Sequence, residues 1–418
     1  MTSVTEAQQT APACRLCAAT LTHTFVDLGV SPLANSYLEA SDLDEPEMFY
    51  PLHVRVCASC LLVQLPELAS PEEIFGEYAY FSSYSASWVE HARRYVEFVT
   101  ERFRLDAASQ VIEVASNDGY LLQFFVTKGI PALGVEPAGE VAAVARERGI
   151  STVTEFFGEQ LADRLVREGH AADLVVGNNV LAHAPASHDF VEGLRRLLKP
   201  GGVVTLEFPH LLRLIEDSQF DTIYHEHFSY FSLFAVERLF DLHGLVVFDV
   251  EELPTHGGSL RIFGAHADRS RRPGDRVAQV HARERLAGLH DLETYLRFSE
   301  LARVAKRDLL AFLVDAKRRG KSVAAYGAAA KGVTLLNYCG VGTDFVDYVV
   351  DRNPHKQGRF LPGVRIPIRP PEHVAETKPD LLLVLPWNLA DEIAEQMAHV
   401  REWGCQLVVP IPTIAYID

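Results

Sequence analysis

The sequence lacks any long hydrophobic run. No apolar stretch reaches the roughly 18 residues that a membrane-spanning helix needs. The first ten residues, MTSVTEAQQT, have neither the basic start nor the apolar core of a secretory signal. Hydrophobic residues still make up 48% of the chain, which is sufficient for well-packed cores. We therefore expect a cytoplasmic, globular protein without a membrane partner.

Positive charge is also scarce. The 418 residues include 39 Lys and Arg against 56 Asp and Glu, a net charge of -17. A surface of this sign repels a phosphate backbone unless a local basic stripe offsets it, and no such stripe is visible in the sequence. We therefore expect no nucleic-acid partner, and we expect the protein to act as a monomer.

Cysteine is rare, but four of the six cysteines form two C-x-x-C pairs. The paired residues are Cys14, Cys17, Cys57 and Cys60. Two such pairs can present four thiolates to one ion, which is the ligand set of a structural zinc site with no open position. The alternatives are four ordinary buried cysteines or a redox pair. We predict zinc, and we interpret Cys339 and Cys405 as core residues.

The chain is too long for one ordinary core, and its patterns divide it into three parts. Residues 1–70 hold both cysteine pairs. Residues 71–270 begin with an aromatic, helix-like stretch and continue with alternating strand and helix patterns. Residues 271–418 contain a helical stretch to about Arg319 and then a second alternating set. This alternation predicts an α/β fold with doubly wound parallel sheets.

A cofactor-binding turn is predicted where the strand pattern QVIEVAS runs into SNDG. A dinucleotide site needs several glycines where the backbone meets a pyrophosphate, and this turn has one. S-adenosylmethionine has a sulfonium and an ammonium instead, so acidic and amide groups suit it better, and Glu136 could accept hydrogen bonds from its ribose. The alternative is a set of turn and cap residues in an unliganded sheet. The predicted cofactor-binding residues are Glu113, Asn117, Asp118, Gly119, Glu136, Asn178 and Asn179.

The segment DTIYHEHFSYFS concentrates groups that donate, accept and hold protons near neutral pH. In an extended stretch, Tyr224 and Glu226 would share one face, and His225 and His227 the other. The rival interpretations are a metal site, although the pattern is not H-E-x-x-H, and a polar loop with chance histidines. His183 is predicted at the same sheet edge as the cofactor turn, and it is equally compatible with a cap.

A second ligand site is predicted at SVAAYGAAAKGV, a strand followed by a small-residue turn and a helix start. Amide groups at this helix start, together with Lys331, could hold a pyrophosphate. Gly327 lies in the turn, and Asp351 and Lys356 follow the next strand pattern and could border the same site. The alternative is a domain that only packs, because the pattern is not a Walker motif.

Taken together, the motifs resemble a known family, the deoxysugar C-methyltransferases of antibiotic pathways, which act on dTDP-linked 4-keto sugars. The resemblance covers nearly the whole chain and rests on the ordered motifs C-R-x-C, C-x-x-C, EVASNDG, GVEPA, NNVLAH, YHEHFSY, THGGSLR, YGAAAKG and DRNPHKQGRFLPG. It implies an N-terminal zinc module (1–70), a central class I Rossmann-like methyltransferase domain (71–270) and a C-terminal Rossmann-like domain that binds the nucleotide-sugar (271–418). Ala329 departs from a family form that often has proline, which bears on the stiffness of that loop.

The resemblance also implies a role for each candidate residue. Zinc would bind the four paired cysteines, and Asn117, Asp118 and Glu136 would line the methyl-donor site. Four residues would surround the sugar, namely His183, Tyr224, Glu226 and His227. The aromatic residues Tyr78 and Tyr80 could close over it.

The chemistry implied is removal of a proton beside a ketone, followed by methylation of that carbon, most simply C-3. His227 is our first choice as the base and His225 is its rival. Glu226 would orient a histidine, and Tyr224, with His183, would donate a hydrogen bond to the developing oxyanion. Two alternatives belong to other classes, a zinc-ribbon nucleic-acid methyltransferase and a nicotinamide-dependent sugar oxidoreductase.

Overall fold

The computed structural model describes residues 12–75, 81–267 and 271–417. The strands are β1 His23–Ser31, β2 Tyr50–Val56, β3 Val63–Gln64, β4 Val111–Val114, β5 Ala132–Val135, β6 Thr152–Val153, β7 Ala172–Asn178, β8 Leu198–Pro209, β9 Ser229–Tyr230, β10 Leu245–Leu253, β11 Ser259–His266, β12 Val323–Tyr326, β13 Val349–Val350, β14 Ile368–Arg369, β15 Leu381–Val384, β16 Gln406–Val409 and β17 Ala415–Ile417. The α-helices are α1 Pro71–Phe75, α2 Ala86–Phe103, α3 Leu122–Thr127, α4 Gly139–Glu147, α5 Glu159–Arg167, α6 Ser187–Leu197, α7 Leu211–Glu216, α8 Leu233–Leu242, α9 Asp275–Leu286, α10 Leu292–Leu296, α11 Phe298–Arg318, α12 Ala330–Cys339, α13 His373–Thr377 and α14 Ala390–Gln396. None of the helices in these ranges combines the length and the apolar character that crossing a membrane requires.

The first of three sheets in the described residues is antiparallel and has the order β1-β2-β3-β9. Its first three strands come from the N-terminal part, whereas β9 comes from the segment that directly follows YHEHF. Val63 pairs with Tyr230, and Gln64 pairs with Ser229. The cysteine-containing part and the histidine-rich segment are therefore joined in one sheet.

The second sheet has the order β10-β11-β8-β7-β4-β5-β6. The strands from β8 to β6 in this order are parallel, and β11 is antiparallel to both of its neighbours. These strands are apolar because both faces of the sheet are covered. Val111 packs into one core, whereas Ile112 and Val114 pack into another. The chain leaves β4 for β5 on one side and returns to β7 on the other, so a ligand crevice is expected at the carboxyl end of β4.

The third sheet has the order β14-β13-β12-β15-β16-β17 and is parallel except for the last pair. Along β12, Val323 and Ala325 pack into one core and Ala324 and Tyr326 into another. Its order reverses at β12, which makes the carboxyl end of β12 a second expected crevice. The predicted α/β architecture is confirmed: both of these sheets are doubly wound and mostly parallel, with antiparallel pairing at one edge of each.

The third sheet and the N-terminal sheet share one hydrophobic core. Phe25 of β1 stacks on Phe298 of α11 with ring centroids 4.4 Å apart. Helix α12 contacts residues 220–222, and the Thr334 hydroxyl on this helix donates to the Ile223 carbonyl over 2.9 Å. This packing brings the carboxyl edge of the third sheet against the histidine-rich segment.

Candidate active site

The four paired cysteines converge on one point, as predicted. The sulfur atoms of Cys14 and Cys60 are 3.5 Å apart, as are those of Cys17 and Cys57, and all four lie within 4.8 Å of one another. A tetrahedral zinc ion with Zn–S bonds of about 2.3 Å separates its sulfurs by about 3.8 Å, so the cluster fits zinc. All ligand positions would then be filled by protein, which makes the zinc structural.

The remaining two cysteines do not join this cluster. Cys339 lies at the end of α12 and Cys405 precedes β16, and both are buried. Burial raises the pKa of the Cys339 thiol to about 12 and that of the Cys405 thiol to about 11. Both are core residues with little thiolate character, as the sequence predicts.

A cavity of about 570 Å³ lies where the carboxyl edges of the two parallel sheets meet. Residues that follow β4, β5 and β7 line it, together with residues that follow β12 and β15 and with the turn at 224–227, which we call the YHEH turn. The predicted residues that line this cavity are Asn117, Glu136, Asn178, Asn179, His183, Tyr224, Glu226, His227, Lys331 and Lys356. The cavity therefore brings together residues from all three predicted ligand sites of the two α/β parts.

Glu136 directly follows β5, and its carboxylate is held in the cavity wall. The backbone N–H groups of Asn117 and Ala138 donate to its two oxygens over 3.0 and 2.9 Å. Burial raises the pKa of Glu136, and these two N–H groups lower it. Each oxygen can still accept another hydrogen bond, so the carboxylate fits the ribose hydroxyls of a methyl donor.

Three of the residues predicted to bind the methyl donor lie behind the cavity wall and do not line the cavity. Asp118 accepts a hydrogen bond from the Ser83 hydroxyl and forms an ion pair with Arg148 at 3.1 Å. Gly119 has φ of +78°, and an added Cβ would collide with Ile150, so this position supports the turn rather than contacting a ligand.

Glu113 is the third of these residues. It is completely buried in β4, and neither of its carboxylate oxygens has a hydrogen-bond partner among the described residues. Burial, followed by the nearby carboxylates of Glu136 and Asp118, raises its pKa well above the usual range. A cationic ligand in the adjoining cavity would offset the repulsion among these carboxylates. This suits a methyl donor that carries both a sulfonium and an ammonium.

The YHEH turn differs from the extended stretch that its sequence predicts. The His227 N–H donates to the Tyr224 carbonyl over 3.0 Å, which closes a β-turn. The prediction that His225 and His227 share a face is therefore wrong. Tyr224, Glu226 and His227 line the cavity, whereas His225 points to the N-terminal sheet, with its ring 5.7 Å from that of Tyr50.

His225 is held away from the cavity by its own contacts. Its Nε2 donates to the Pro51 carbonyl over 3.2 Å, and only 3% of the residue is exposed. Burial lowers the pKa of His225. A base must reach the proton that it removes, so this placement weakens His225 as the rival base.

His227 is oriented as a neutral base. Its Nδ1 lies 2.8 Å from the Thr222 carbonyl, which can only accept, so Nδ1 carries the proton and Nε2 the lone pair. Burial, followed by the neighbouring His183, lowers the pKa of His227 well below the usual range. The rings of Tyr224 and His183 lie 4.1 and 4.9 Å away. Burial also lowers the pKa of His183 to about 4, so both histidines are neutral at physiological pH.

Helix α12, which follows β12, contributes a partly buried cation to the cavity. The Lys331 ammonium donates to the Asn388 side chain over 2.6 Å and lies 4.5 Å above the Trp387 ring. Burial lowers the pKa of Lys331 to about 8, and Asp221 acts in the opposite direction. A desolvated ammonium of this kind would gain from an anionic ligand.

Gly327 and Asp351 shape the turn beneath this cation instead of lining the cavity. The Asp351 carboxylate accepts from the Ala328 N–H over 2.8 Å. Gly327 has φ of +93°, and an added Cβ would lie 2.5 Å from Pro386 Cδ. Lys356 does line the cavity, and its ammonium donates to the Ala328 carbonyl over 2.8 Å.

Several cavity residues were missed by the sequence analysis. They are Asn35, Trp88, Tyr120 and His256. His256 adopts a left-handed conformation with φ of +54°, and its Nε2 lies 3.1 Å from the Asn179 amide nitrogen. Its place in THGGSLR was an available signal. The single amide Asn35, in an uncharged loop, offers none. Tyr78 and Tyr80 lie outside the described residues.

Three family models match the chain. A methyltransferase domain model matches residues 88–250, a C-methyltransferase C-terminal domain model matches 254–412, and a zinc binding domain model matches 14–75. C-methyltransferase NovU of Streptomyces niveus is 38% identical over 402 residues, which are 96% of this chain and 95% of NovU.

Solved structures match less than half of the chain, with low identity. The methyltransferase in complex with the Trm112 activator from Haloferax volcanii has 15% identity and a TM-score of 0.36, covering 44% of this chain and 93% of that chain. Magnesium protoporphyrin IX methyltransferase from Synechocystis, with bound SAH, has 13% identity and a TM-score of 0.34. The match covers 43% of this chain and 83% of that chain.

Proposed function

The chain belongs to the C-methyltransferase family and uses S-adenosylmethionine, and from that premise we propose that it methylates C-3 of a dTDP-linked 4-keto-deoxysugar. One observation carries the proposal. A single cavity holds the Glu136 carboxylate suited to the methyl donor, a neutral histidine with a fixed tautomer, and the partly buried Lys331 ammonium suited to a diphosphate. We also propose the domain division 1–70, 71–270 and 271–418, and a place in antibiotic biosynthesis.

The chemical step that these residues support begins at the carbon beside the ketone. Nε2 of His227 takes a proton from that carbon, and the electron pair of the broken C–H bond forms a C=C bond as the carbonyl π pair moves to oxygen. Tyr224, with His183, donates a hydrogen bond to this oxygen, where the negative charge develops. When bound, S-adenosylmethionine supplies an electrophilic methyl group on a positively charged sulfur.

The ketone requirement gives the direct test of this function. With S-adenosylmethionine, the enzyme should convert a dTDP-4-keto-6-deoxysugar to a product that is one methylene heavier by mass spectrometry. dTDP-glucose, which has a hydroxyl in place of the ketone, should stay unchanged. Equal methylation of both sugars, or of neither across a panel of dTDP-4-keto sugars, would overturn the proposal.

Replacing Glu136 should weaken the methyl donor selectively. Glu136→Ala removes the acceptor proposed for the ribose hydroxyls, and we expect donor-site affinity to fall about 10- to 100-fold. Calorimetry with S-adenosylhomocysteine measures this, and dTDP-glucose should bind as it does to the wild type. Glu140→Ala, an exposed glutamate on α4, is the matched control. Unchanged S-adenosylhomocysteine affinity in Glu136→Ala would move the donor site elsewhere.

Replacing Lys331 should have the opposite selectivity. Lys331→Ala removes the cation proposed for the diphosphate, so affinity for dTDP-glucose should fall about 10- to 100-fold while S-adenosylhomocysteine binds normally. Lys128→Ala, at an exposed site outside the cavity, is the control. Unchanged dTDP-glucose affinity in Lys331→Ala would remove Lys331 from the phosphate site.

The same lysine predicts how nucleotide-sugar binding depends on pH. The Lys331 pKa is about 8 in the free protein, and a bound diphosphate would raise it by stabilising the charged form. The contribution of Lys331 to the binding free energy is therefore complete below pH 8. It is lost as pH rises through the pKa of Lys331 in the complex. Calorimetry should show this decline in the wild type and not in Lys331→Ala.

A further inference from the structure

The zinc module contacts the YHEH turn directly through Asn35. This residue lies in the loop after β1 and is exposed to the cavity, which it lines. Its amide nitrogen donates to Oε1 of Glu226 over 2.5 Å. A side chain from the N-terminal part of the fold therefore holds the orientation of a carboxylate in the turn that carries the proposed base.

A second contact reaches the residues that follow the turn. It comes from the C-x-x-C segment 14–17, which we call the first zinc knuckle. Arg15 lies between Cys14 and Cys17, and its guanidinium donates to the Phe228 carbonyl. The same group donates to the Ser229 hydroxyl over 3.0 Å and to the Leu65 carbonyl over 2.9 Å. The planar guanidinium thus joins the knuckle to the two residues that directly follow His227.

Gln64 ties this arginine to the metal site. Its side-chain oxygen accepts the Arg15 backbone N–H over 2.9 Å, and its amide nitrogen donates to the Cys14 sulfur over 3.1 Å. Gln64 also pairs with Ser229 across β3 and β9. The position of the knuckle is therefore transmitted to β9 by a continuous set of hydrogen bonds.

We propose that the zinc module is a positioning device for the proposed base, and that Arg15 and Asn35 are its positioning residues. The Phe228 N–H donates to the Ala182 carbonyl over 2.8 Å, so the backbone after His227 is fixed between Arg15 and the central domain. Fixing this backbone keeps Nδ1 of His227 on the Thr222 carbonyl and Nε2 ready to accept a proton. The inference rests on the proposed function for the role of His227. It gives the zinc module a role in the rate of the reaction besides its role in folding.

Two variants test the inference by catalysis. Arg15→Lys keeps the charge but loses the planar fork, and Asn35→Ala removes an exposed amide without opening the core. We expect each to lower the kcat of solvent deuterium exchange into the keto-sugar about 10- to 100-fold, because small displacements of a catalytic group have effects of this size. The KM, zinc content and Tm should stay near wild-type values, whereas a purely structural role would lower Tm and leave kcat unchanged.

Arg365→Lys is the matched control. Arg365 also donates to backbone carbonyls of the N-terminal part, at Leu43 and, over 3.2 Å, at Glu45, but it does not contact the YHEH turn. The Arg365→Lys variant should exchange deuterium at the wild-type rate. Wild-type rates in both Arg15→Lys and Asn35→Ala, or an equal loss in Arg365→Lys, would overturn the inference.

A measurement without substrate separates this inference from the proposed function. In ¹⁵N-histidine spectra, the His227 signal, assigned by its loss in His227→Asn, should show the Nδ1-protonated tautomer in the wild type and in Arg365→Lys. Arg15→Lys and Asn35→Ala should show a tautomer mixture. If the wild type fails to exchange deuterium with any keto-sugar, the proposed function fails, and these spectra still decide whether the module positions His227. Unchanged spectra in both variants would contradict the inference.

Discussion

His227→Asn is expected to abolish solvent deuterium exchange at the carbon beside the ketone. The exchange is measured by NMR with S-adenosylhomocysteine bound in place of the donor, because enolisation needs only a base and an oxyanion donor. A positioned base contributes about 100- to 10,000-fold, and asparagine has no ring nitrogen to replace it. Calorimetry should show that the variant still binds both S-adenosylhomocysteine and the nucleotide-sugar.

The pH dependence of this exchange follows from the state of His227. Burial holds its pKa well below the ordinary histidine value of 6.5, so the neutral, active form predominates through neutral pH. The exchange rate should therefore stay level as pH falls through 6.5, and it should drop only as pH passes the lowered pKa. A rate that already halves near 6.5 would show that the base has an ordinary histidine pKa.

His225→Asn is the matched control, because this histidine belongs to the same turn but faces the N-terminal sheet. It should exchange at the wild-type rate. Tyr224→Phe should slow exchange and leave some activity, since water or His183 can partly replace the phenol. Loss of exchange in His225→Asn, with a normal rate in His227→Asn, would reverse the assignment. If neither variant had an effect, the base would have to be sought at His183, Tyr78 or Tyr80.

Cys57→Ser is expected to remove the zinc and most of the folded protein with it. Four thiolates hold a structural zinc ion, and such sites contribute on the order of 10 kcal/mol to the folding of a small module. Cys57 follows β2 directly, so the loss should also disturb the sheet that includes β9. Metal analysis and soluble yield measure the effect.

Cys405→Ser is the control for this variant, because Cys405 is a buried cysteine outside the metal cluster. It should keep one zinc per chain, whatever it loses in Tm through core packing. Full zinc content and an unchanged Tm in Cys57→Ser would show that the four-cysteine site is wrong.

Much of the fold could be predicted from the sequence because the signals are local. Strands such as β4 and β7 are apolar runs, a pattern typical of parallel strands covered on both faces. The zinc cluster was predictable because C-x-x-C spacing alone brings two thiolates together. The short antiparallel pairing of β9 with β3 was not, because it joins segments far apart in the chain and has no local signature.

The site was predicted less completely, for physical reasons that differ between residues. The faces of the YHEH turn were assigned from an extended backbone, and one hydrogen bond from His227 N–H to the Tyr224 carbonyl is enough to rotate His225 out of the cavity. Asn35 reaches Glu226 only because the N-terminal sheet incorporates β9. Contacts of this kind depend on tertiary packing, which periodicity and spacing do not report.

The central claim is that the methyl group is transferred to a carbon beside the ketone of the nucleotide-sugar. It is tested most directly by NMR of the product formed from a dTDP-4-keto-6-deoxysugar and S-adenosylmethionine with a ¹³C-labelled methyl group. We predict that the labelled methyl is bonded to C-3 and that the proton originally on that carbon is lost. A labelled methyl on oxygen or nitrogen, or on a carbon that is not next to the ketone, would contradict the account.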